Sequence, residues 1–376
     1  MLTKTKIYLS SPHMGGAEQK FVNEAFHTNW IAPLGPNVNG FEEDIKKYLG
    51  QNKQVAALSS GTASIHLALQ LLNVSKGDEV LCQSFTFSAS ANPILYQGAT
   101  PIFIDSESET WNMSPELLEI AIKDRIEKYK KPKAIIAVHL YGMPYKAEDI
   151  NAIANKYSIP VIEDSAEALG STYFNQKCGT LSDMGIISFN GNKIITTSGG
   201  GALVVNSEEL KQKAVFLSTQ ARDDAPHYEH SSIGFNYRMS NVLAGIGRGQ
   251  MEVIDDRVKA RRQNFEFYQK HLAKYKEITF LQEPKGLFSN RWITCIKTDS
   301  YELREKIRLE LLKDNIESRP LWKPMHMQPI FKDYLHFTNG VSERLFDTGL
   351  CLPSGSDLTK DDLTRILENI INTLKL

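Results

Sequence analysis

The sequence has few cysteines, almost no net charge and no long apolar run. Its four cysteines are scattered over 376 residues and form no CxxC pair, which argues against a disulfide framework and favours a reduced, cytoplasmic setting. The formal net charge of −1 gives no sign of binding to nucleic acid through bulk charge. No apolar stretch approaches the roughly 20 residues that a membrane helix needs, so we expect no membrane association.

Two nucleotide-binding motifs are also missing. No G-x-G-x-x-G follows an apolar run and no G-x-x-x-x-G-K-[ST] occurs, which argues against a nicotinamide enzyme on a Rossmann domain and against a P-loop enzyme. His227, Glu229 and His230 lie in a polar stretch, 222–232, without other obvious ligands. We therefore interpret that stretch as a solvated loop and predict no metal site.

Short apolar runs, several of which end at a polar residue, alternate with helical patterns in the first two thirds of the chain. Residues 101–104 end at Asp105, residues 134–138 at His139, and residues 160–162 at Glu163-Asp164. This alternation predicts an α/β fold with a mainly parallel sheet. Ligands of such sheets bind beyond the carboxyl ends of the strands, where Asp105, His139 and Asp164 would lie.

The pattern changes near residue 245. An amphipathic helix is predicted for about 251–275, followed by a strand-like run at 291–296 and a helix at 301–314. A final helix begins at Thr359, with Asp362 completing a capping box. We predict a large α/β domain over 1–245 and a smaller α+β domain over 246–376.

Lys193 is the most informative residue. An apolar run, 186–189, precedes it, and glycines 199–201 lead into a second apolar run, 202–205. A lysine between two core strands lies near low-dielectric surroundings, which favour the neutral amine, the nucleophile that forms Schiff bases. The competing interpretation is a surface lysine on a loop.

Four further features could complete a cofactor site, and each has a structural alternative. Residues 59–63, SSGTA, open a helix after a strand and could bind phosphate, or Ser60 or Thr62 could simply cap that helix. Asp164 could bind a protonated ring nitrogen, cap a helix or pair with a base. Ser188 could contact phosphate or the backbone. Phe85 and Phe87 are predicted on one strand face, where either could stack on a ring or pack in the core.

Taken together, a lysine, a carboxylate, a phosphate site, a hydroxyl and an aromatic ring are the groups that pyridoxal phosphate requires. The chain also resembles the sugar aminotransferases of the DegT/DnrJ/EryC1/StrS family, within the type I aminotransferase fold. The matching segments are 61–63, 85–87, 139–142, 163–166, 188–189 with Lys193, 234–239 and 324–329.

The resemblance implies a role for each matching residue. It makes Lys193 the Schiff-base lysine and Asp164 the partner of the pyridine nitrogen, and it selects Phe87 as the stacking ring. The remaining implied cofactor-binding residues are Gly61, Thr62, Ala63, Ser188, Glu167 and Asn236. Asn236 would reach the phosphate in the neighbouring subunit, which implies a homodimer with shared active sites. Glu167 either faces the cofactor hydroxyl or the sugar, or pairs only with a base.

Segments 11–16, 31–35, 190–193 and 198–201 narrow the resemblance to enzymes that aminate C4 of a UDP-linked 4-keto-6-deoxy-N-acetylglucosamine, with L-glutamate as the donor. GDP-linked 4-keto-6-deoxymannose is the alternative substrate. Arg238, His326 and Trp322 are candidate substrate contacts, although Arg238 and His326 could equally be structural. Two rivals keep the fold: a dehydratase, against which the retained Lys193 argues, and a homologue that binds the cofactor without turnover.

Overall fold

The computed structural model describes residues 4–50 and 52–375, and these form twelve α-helices and fifteen strands. The helices are α1 Glu18–His27, α2 Pro36–Leu49, α3 Gly61–Leu71, α4 Ser88–Tyr96, α5 Pro115–Lys128, α6 Ala147–Tyr157, α7 Glu208–Ser218, α8 Asn241–Met251, α9 Ile254–Leu272, α10 Tyr301–Lys313, α11 Val341–Thr348 and α12 Lys360–Leu374. Within those described ranges, no helix combines the length and apolar character needed to cross a membrane.

The strands are mostly short. They are β1 Gln54–Leu58, β2 Glu79–Gln83, β3 Thr100–Ile104, β4 Ala134–Val138, β5 Val161–Asp164, β6 Thr172–Tyr173, β7 Gln176–Lys177, β8 Met184–Ser188, β9 Gly201–Val205, β10 Ile278–Phe280, β11 Leu287–Phe288, β12 Thr294–Thr298, β13 Arg319–Pro320, β14 His336–Phe337 and β15 Gly349–Leu352.

The central sheet has eight strands in the order β1-β9-β8-β5-β4-β2-β3-β14. Only β9 runs antiparallel to its neighbours, β1 and β8; the remaining pairs are parallel. Every residue of β2, β4, β5, β8 and β9 is buried, because helices cover both faces of a parallel sheet. The predicted α/β architecture with a mainly parallel sheet is confirmed.

Side-chain caps fix where several helices begin. Ser60, Ser114, Ser207 and Ser300 each accept a hydrogen bond from a backbone N–H in the first turn of the helix that follows. Thr359 and Asp362 form the predicted capping box at the start of α12. The cap at Ser60 matters most here, because it sets the position at which α3 begins beside the carboxyl end of β1.

The C-terminal third builds a four-stranded antiparallel sheet, β10-β12-β15-β13. Residue 245 lies inside the continuous helix α8, so the division at 245–246 stays a prediction. Two pairings cross that position in the sequence: β14 extends the central sheet beside β3, and Ile7 bridges to Ile316. The two predicted parts therefore exchange segments.

One local prediction is wrong. Phe85 and Phe87 do not share a strand face, since β2 ends at Gln83 and Phe87 occupies the N-cap of α4. The chain turns at this point, where the Thr86 N–H donates to the Ser84 carbonyl. As a result Phe85 is fully buried, whereas Phe87 is 56% exposed.

Candidate active site

A cavity of about 320 Å³ lies beyond the carboxyl ends of β1, β2, β5 and β8. Its position follows from the parallel sheet, in which the carboxyl ends of neighbouring strands meet at one edge. Most of the residues predicted from the sequence line it, namely Gly61, Thr62, Phe87, Asp164, Glu167, Ser188, Lys193 and Trp322.

Lys193 enters the cavity from the loop between β8 and β9. Its backbone N–H donates to the Asn190 carbonyl at 3.0 Å, and its side chain is 12% exposed. The amine Nζ lies 3.4 Å from Glu167 Oε1 and 4.3 Å from the centre of the Trp292 ring. The lysine is therefore a largely buried group that points at polar and aromatic partners, which excludes the interpretation of a solvated surface lysine.

Glu167 is a buried carboxyl beside that amine. Its Oε2 accepts a hydrogen bond from the Tyr141 N–H at 2.7 Å. Burial raises the pKa of Glu167 from 4.5 to about 7, against the opposing effects of Lys193 and the Tyr141 N–H. A carboxyl with a pKa near neutrality can gain or lose a proton under working conditions, which is what a general acid or base requires.

Asp164 ends β5 and is 4% exposed. Ser90 donates from Oγ to Asp164 Oδ2 at 2.7 Å, and the Ala166 N–H donates to Oδ1 at 3.2 Å. Thr86 Oγ1 lies 2.8 Å from Ser90 Oγ, so a chain of two hydroxyls leads to the carboxylate. Ser90 was missed from the sequence, because nothing local shows that a serine inside α4 meets the end of β5.

The neighbouring Glu163 points to the other side of the sheet, as alternation along a strand requires. It accepts hydrogen bonds from the Gly179 N–H at 2.5 Å and the Leu181 N–H at 2.7 Å, and His139 Nε2 lies 2.7 Å from it. His139 Nδ1 already accepts the Tyr145 N–H, so Nε2 carries the proton that His139 donates to Glu163. This group is a satisfied buried network outside the cavity.

The phosphate end of the predicted site lies where α3 begins. Ser60 accepts the Ala63 N–H at 3.0 Å, so the simple capping role is real and Ala63 itself does not line the cavity. Gly61 packs against Ser188, because a Cβ at position 61 would lie 3.0 Å from the Ser188 Cβ. The absence of a side chain at 61 keeps the helix N-terminus and the Ser188 and Thr62 side chains on one wall of the cavity.

The rings of Phe87 and Trp322 also line the cavity. The Phe87 ring lies 5.4 Å from Trp322, and Trp322 lies 5.1 Å from Tyr141 and 6.2 Å from Trp292. Trp292 lines the cavity as well and was missed, because it comes from the C-terminal third, and a tryptophan next to a strand-like run is usually a core residue.

Arg238 does not line the cavity of its own chain. Its guanidinium pairs with Glu42 and donates to the Ala57 carbonyl at 3.1 Å. Within one chain Arg238 therefore has a structural role, and its position offers no contact with a substrate in this cavity.

His326 is also held by protein groups outside the cavity wall. Its Nδ1 lies 2.6 Å from Ser84 Oγ and its Nε2 lies 3.2 Å from Glu343 Oε1. Asn236 is exposed and pairs with Thr219, away from the cavity of its own chain. His326 thus has the structural alternative, and Asn236 lies at the surface away from the cavity of its own chain.

The groups around the cavity fit pyridoxal phosphate. The amine of Lys193 and the carboxylate of Asp164 lie in one cavity with the hydroxyls of Thr62 and Ser188 and the exposed Phe87 ring. No side chain at position 61 obstructs the start of α3, where backbone N–H groups attract phosphate. These residues are of the types that would supply the amine, acid, phosphate and ring contacts of the cofactor.

Comparison with known proteins agrees with this chemistry. Among curated proteins, the chain is 52% identical over 371 residues to EpsN of Bacillus subtilis (strain 168), a candidate pyridoxal phosphate-dependent aminotransferase, covering 98% of this chain and 95% of EpsN. It is 37% identical over 361 residues to the GDP-perosamine synthase of Escherichia coli O157:H7, covering 96% of each.

A solved structure of a candidate sugar aminotransferase from Streptococcus pneumoniae, in its pyridoxal phosphate form, superposes with a TM-score of 0.91 at 26% identity over 99% of each chain. The model of the DegT/DnrJ/EryC1/StrS aminotransferase family matches residues 12–371. With this cavity and a match over almost its whole length, the chain belongs to the DegT/DnrJ/EryC1/StrS aminotransferase family and is a pyridoxal phosphate-dependent sugar aminotransferase of the type I fold.

Proposed function

We propose that this enzyme transfers the amino group of L-glutamate to C4 of a nucleotide-linked 4-keto-6-deoxy sugar, namely UDP-2-acetamido-2,6-dideoxy-4-keto-hexose. The observation that carries the chemistry is the placement of the Lys193 amine 3.4 Å from the Glu167 carboxyl, in a cavity that also contains Asp164. When bound, pyridoxal phosphate supplies the electron sink that makes the Cα–H bond of the amino donor acidic.

Lys193 has two tasks in this proposal. Its amine would hold the cofactor covalently between turnovers. The same amine would also accept the proton that leaves the Cα of the donor and return it later in the reaction. The short distance to Glu167 Oε1 keeps the amine beside a group that can exchange a proton with it.

Asp164 would act on the pyridine nitrogen of the cofactor. Its carboxylate is fixed by Ser90 and by the Ala166 N–H, and it would keep a proton on that nitrogen. A buried carboxylate is costly unless it is paired. A protonated pyridine nitrogen would meet that requirement.

The other residues orient the cofactor and the sugar. Thr62, Ser188 and the start of α3 would hold the phosphate, and the Phe87 ring would stack on the heterocycle. Trp322 lines the cavity 5.4 Å from the Phe87 ring and would contact the sugar.

The nucleotide is the least constrained part of the proposal. Segments 11–16, 31–35 and 198–201 resemble enzymes that act on UDP-linked sugars, whereas the name of the 37% identical relative specifies a GDP-linked product. The test is to incubate the purified enzyme with glutamate and a panel of UDP-, GDP- and dTDP-linked 4-keto sugars, and to identify the product by mass and NMR. Amination of only the GDP-linked sugar would replace our substrate with GDP-4-keto-6-deoxymannose.

A homodimer with shared sites is part of the proposal. Asn236 is exposed, and Ile233, three residues earlier in the sequence, is 86% exposed. The surface around these residues is therefore accessible to a second copy of the chain. Mixing Lys193→Ala with Asn236→Ala subunits would then restore about a quarter of the sites, because each mixed dimer regains one intact site. Absence of any recovery after exchange of subunits would contradict shared sites.

The proposed location is the cytoplasm. The four cysteines are free and buried, which supports a reduced environment. The partners are the nucleotide sugar, L-glutamate and a second copy of the chain, with no nucleic acid or membrane.

A further inference from the structure

Trp292 reaches the catalytic cavity from the C-terminal third of the chain. It is 3% exposed and lines the cavity together with Lys193. The segment that carries Trp292 leads into strand β12 of the antiparallel sheet. The indole contacts the loop that carries Lys193. Its contacts with that loop are of two kinds.

The first contact is a hydrogen bond. The indole Nε1–H donates to the carbonyl of Asn192, the residue before Lys193, at 2.6 Å. The same carbonyl also accepts a hydrogen bond from Ser10 Oγ at 2.8 Å, so the indole is the shorter of two donors that hold it. The bond fixes the peptide plane from which the Lys193 backbone begins.

The second contact is between the ring face and the amine. Lys193 Nζ lies 4.3 Å from the centre of the Trp292 ring, within the range of a cation–π interaction, and tryptophan gives the strongest such interaction. Glu167 Oε1 lies 3.4 Å from the same nitrogen. A positive charge on this nitrogen is thus stabilised by the indole as well as by the carboxyl.

The Trp292 backbone is held in place from both sides. Arg261, which is 1% exposed, donates from Nη1 to the Trp292 carbonyl at 2.6 Å. The Trp292 N–H donates to Asn290 Oδ1 at 2.9 Å. Arg291, which lies between Asn290 and Trp292 in the sequence, has a φ of +52°. The surrounding structure must impose this conformation on a residue other than glycine.

The same turn also holds the loop that carries Glu167. Asn290 donates from Nδ2 to the Glu167 carbonyl at 2.8 Å and to the Leu169 carbonyl at 2.9 Å. One short turn, residues 290–292, therefore forms hydrogen bonds with the loop that carries Lys193 and with the loop that carries Glu167. Packing in the core would explain the burial of Trp292, but it does not require a hydrogen bond to the lysine loop or a ring face beside Nζ.

We infer that Trp292 is a positioning residue for Lys193, which fixes the lysine loop through its N–H and stabilises a cationic Lys193 nitrogen through its ring. This inference rests on the role proposed for Lys193 in binding the cofactor. It assigns a function to the C-terminal third of the chain at a site that is otherwise built from the central sheet.

The test measures how the visible absorbance of the cofactor-loaded enzyme depends on pH. Trp292→Phe removes the N–H donor and weakens the π face, and Trp292→Leu removes both. We expect the midpoint of the absorbance change to move to lower pH by roughly half to one pH unit in Trp292→Leu and by less in Trp292→Phe. The dissociation constant of pyridoxal phosphate should rise roughly 3- to 10-fold in both variants, because both lose the hydrogen bond.

Trp111→Phe is the matched control. Trp111 is 6% exposed and belongs to the same apolar cluster as Trp292, but it does not line the cavity. We expect this control to keep the parental midpoint and affinity. The inference is overturned if both Trp292 variants keep the parental values, or if Trp111→Phe shifts them equally.

If the Trp292 variants do not fold, fluorotryptophan placed at position 292 keeps the shape and the N–H donor while it weakens the π face. The midpoint should still fall, and an unchanged midpoint would refute the role of the ring. These measurements need only bound cofactor, so failure to aminate any sugar leaves them interpretable. If Lys193→Ala retains the parental absorbance titration, the assignment of Lys193 is wrong, which is a different outcome.

Discussion

Ionisation of Glu167 should make the stability of the cofactor-free protein fall as the pH rises. The carboxyl is 4% exposed, and burial raises its pKa from 4.5 to about 7. At about 1.36 kcal/mol per pKa unit, this difference corresponds to roughly 3 kcal/mol. Because the folded state binds the proton more tightly, the contribution is fully present below pH 4.5 and is lost as the pH rises through about 7.

The substitution Glu167→Gln removes this titration while it keeps the shape of the side chain. We expect the stability of the variant, relative to the parent, to increase by roughly 3 kcal/mol between acidic pH and about pH 8. Urea unfolding at a series of pH values, followed by tryptophan fluorescence, gives the free energy of unfolding of each protein. Differences between the two proteins cancel the titration of all other groups.

A control separates the buried site from the chemical change. Glu24, in α1, is exposed, and Glu24→Gln should give a difference from the parent that is much less dependent on pH. A constant difference between Glu167→Gln and the parent over the whole pH range would refute the reasoning, because it would mean that ionisation of Glu167 carries no cost in the folded protein.

Three further outcomes follow from the geometry. Lys193→Ala should lower the rate of the half-reaction with glutamate at least roughly 10²-fold, and stopped-flow absorbance at a near-parental rate would contradict its role. Asp164→Ala should lower the same rate roughly 10²–10³-fold; a near-parental rate would mean that the ring nitrogen needs no acid. Gly142→Ala should destabilise the protein by about 1–3 kcal/mol in urea, because residue 142 has a φ of +85° and a Cβ would lie 2.0 Å from Asn290 Oδ1. Gly50→Ala, with a φ of +110° and open space around it, isolates the backbone contribution, so equal losses would show that the contact with Asn290 is unimportant.

Much of the fold could be predicted because its signals are local. The runs that became β3, β4 and β5 are apolar and end at polar residues. The capping box at Thr359 depends on residues three positions apart, and such a pattern is visible in any sequence. The strand predicted for 85–87 failed because a turn after Gln83 redirects the chain, and aromatic composition does not reveal that turn.

The residues of the candidate site also differ in whether local sequence signals could predict their positions. Asp164, Ser188 and Gly61 lie at the ends of strands or at the start of a helix, so their arrangement at one edge follows from a parallel sheet. Arg238 and His326 could not be assigned from their types alone. Arg238 pairs with Glu42, which is far away in the sequence, and His326 contacts Glu343 in helix α11. Only the packing of the chain brings these partners together.

The sequence by itself determined the mainly parallel sheet, the edge at which the cavity forms and the presence of a lysine and a carboxylate there, because strand periodicity and residue order are local properties. Only the tertiary structure decided that Glu167 meets Lys193, that Ser90 supports Asp164 and that Trp292 arrives from the C-terminal third. The spacing of these residues in the sequence follows no regular pattern, so the sequence does not reveal that they are in contact. These contacts arise when buried polar groups find hydrogen-bond partners during packing, since leaving them unpaired costs free energy.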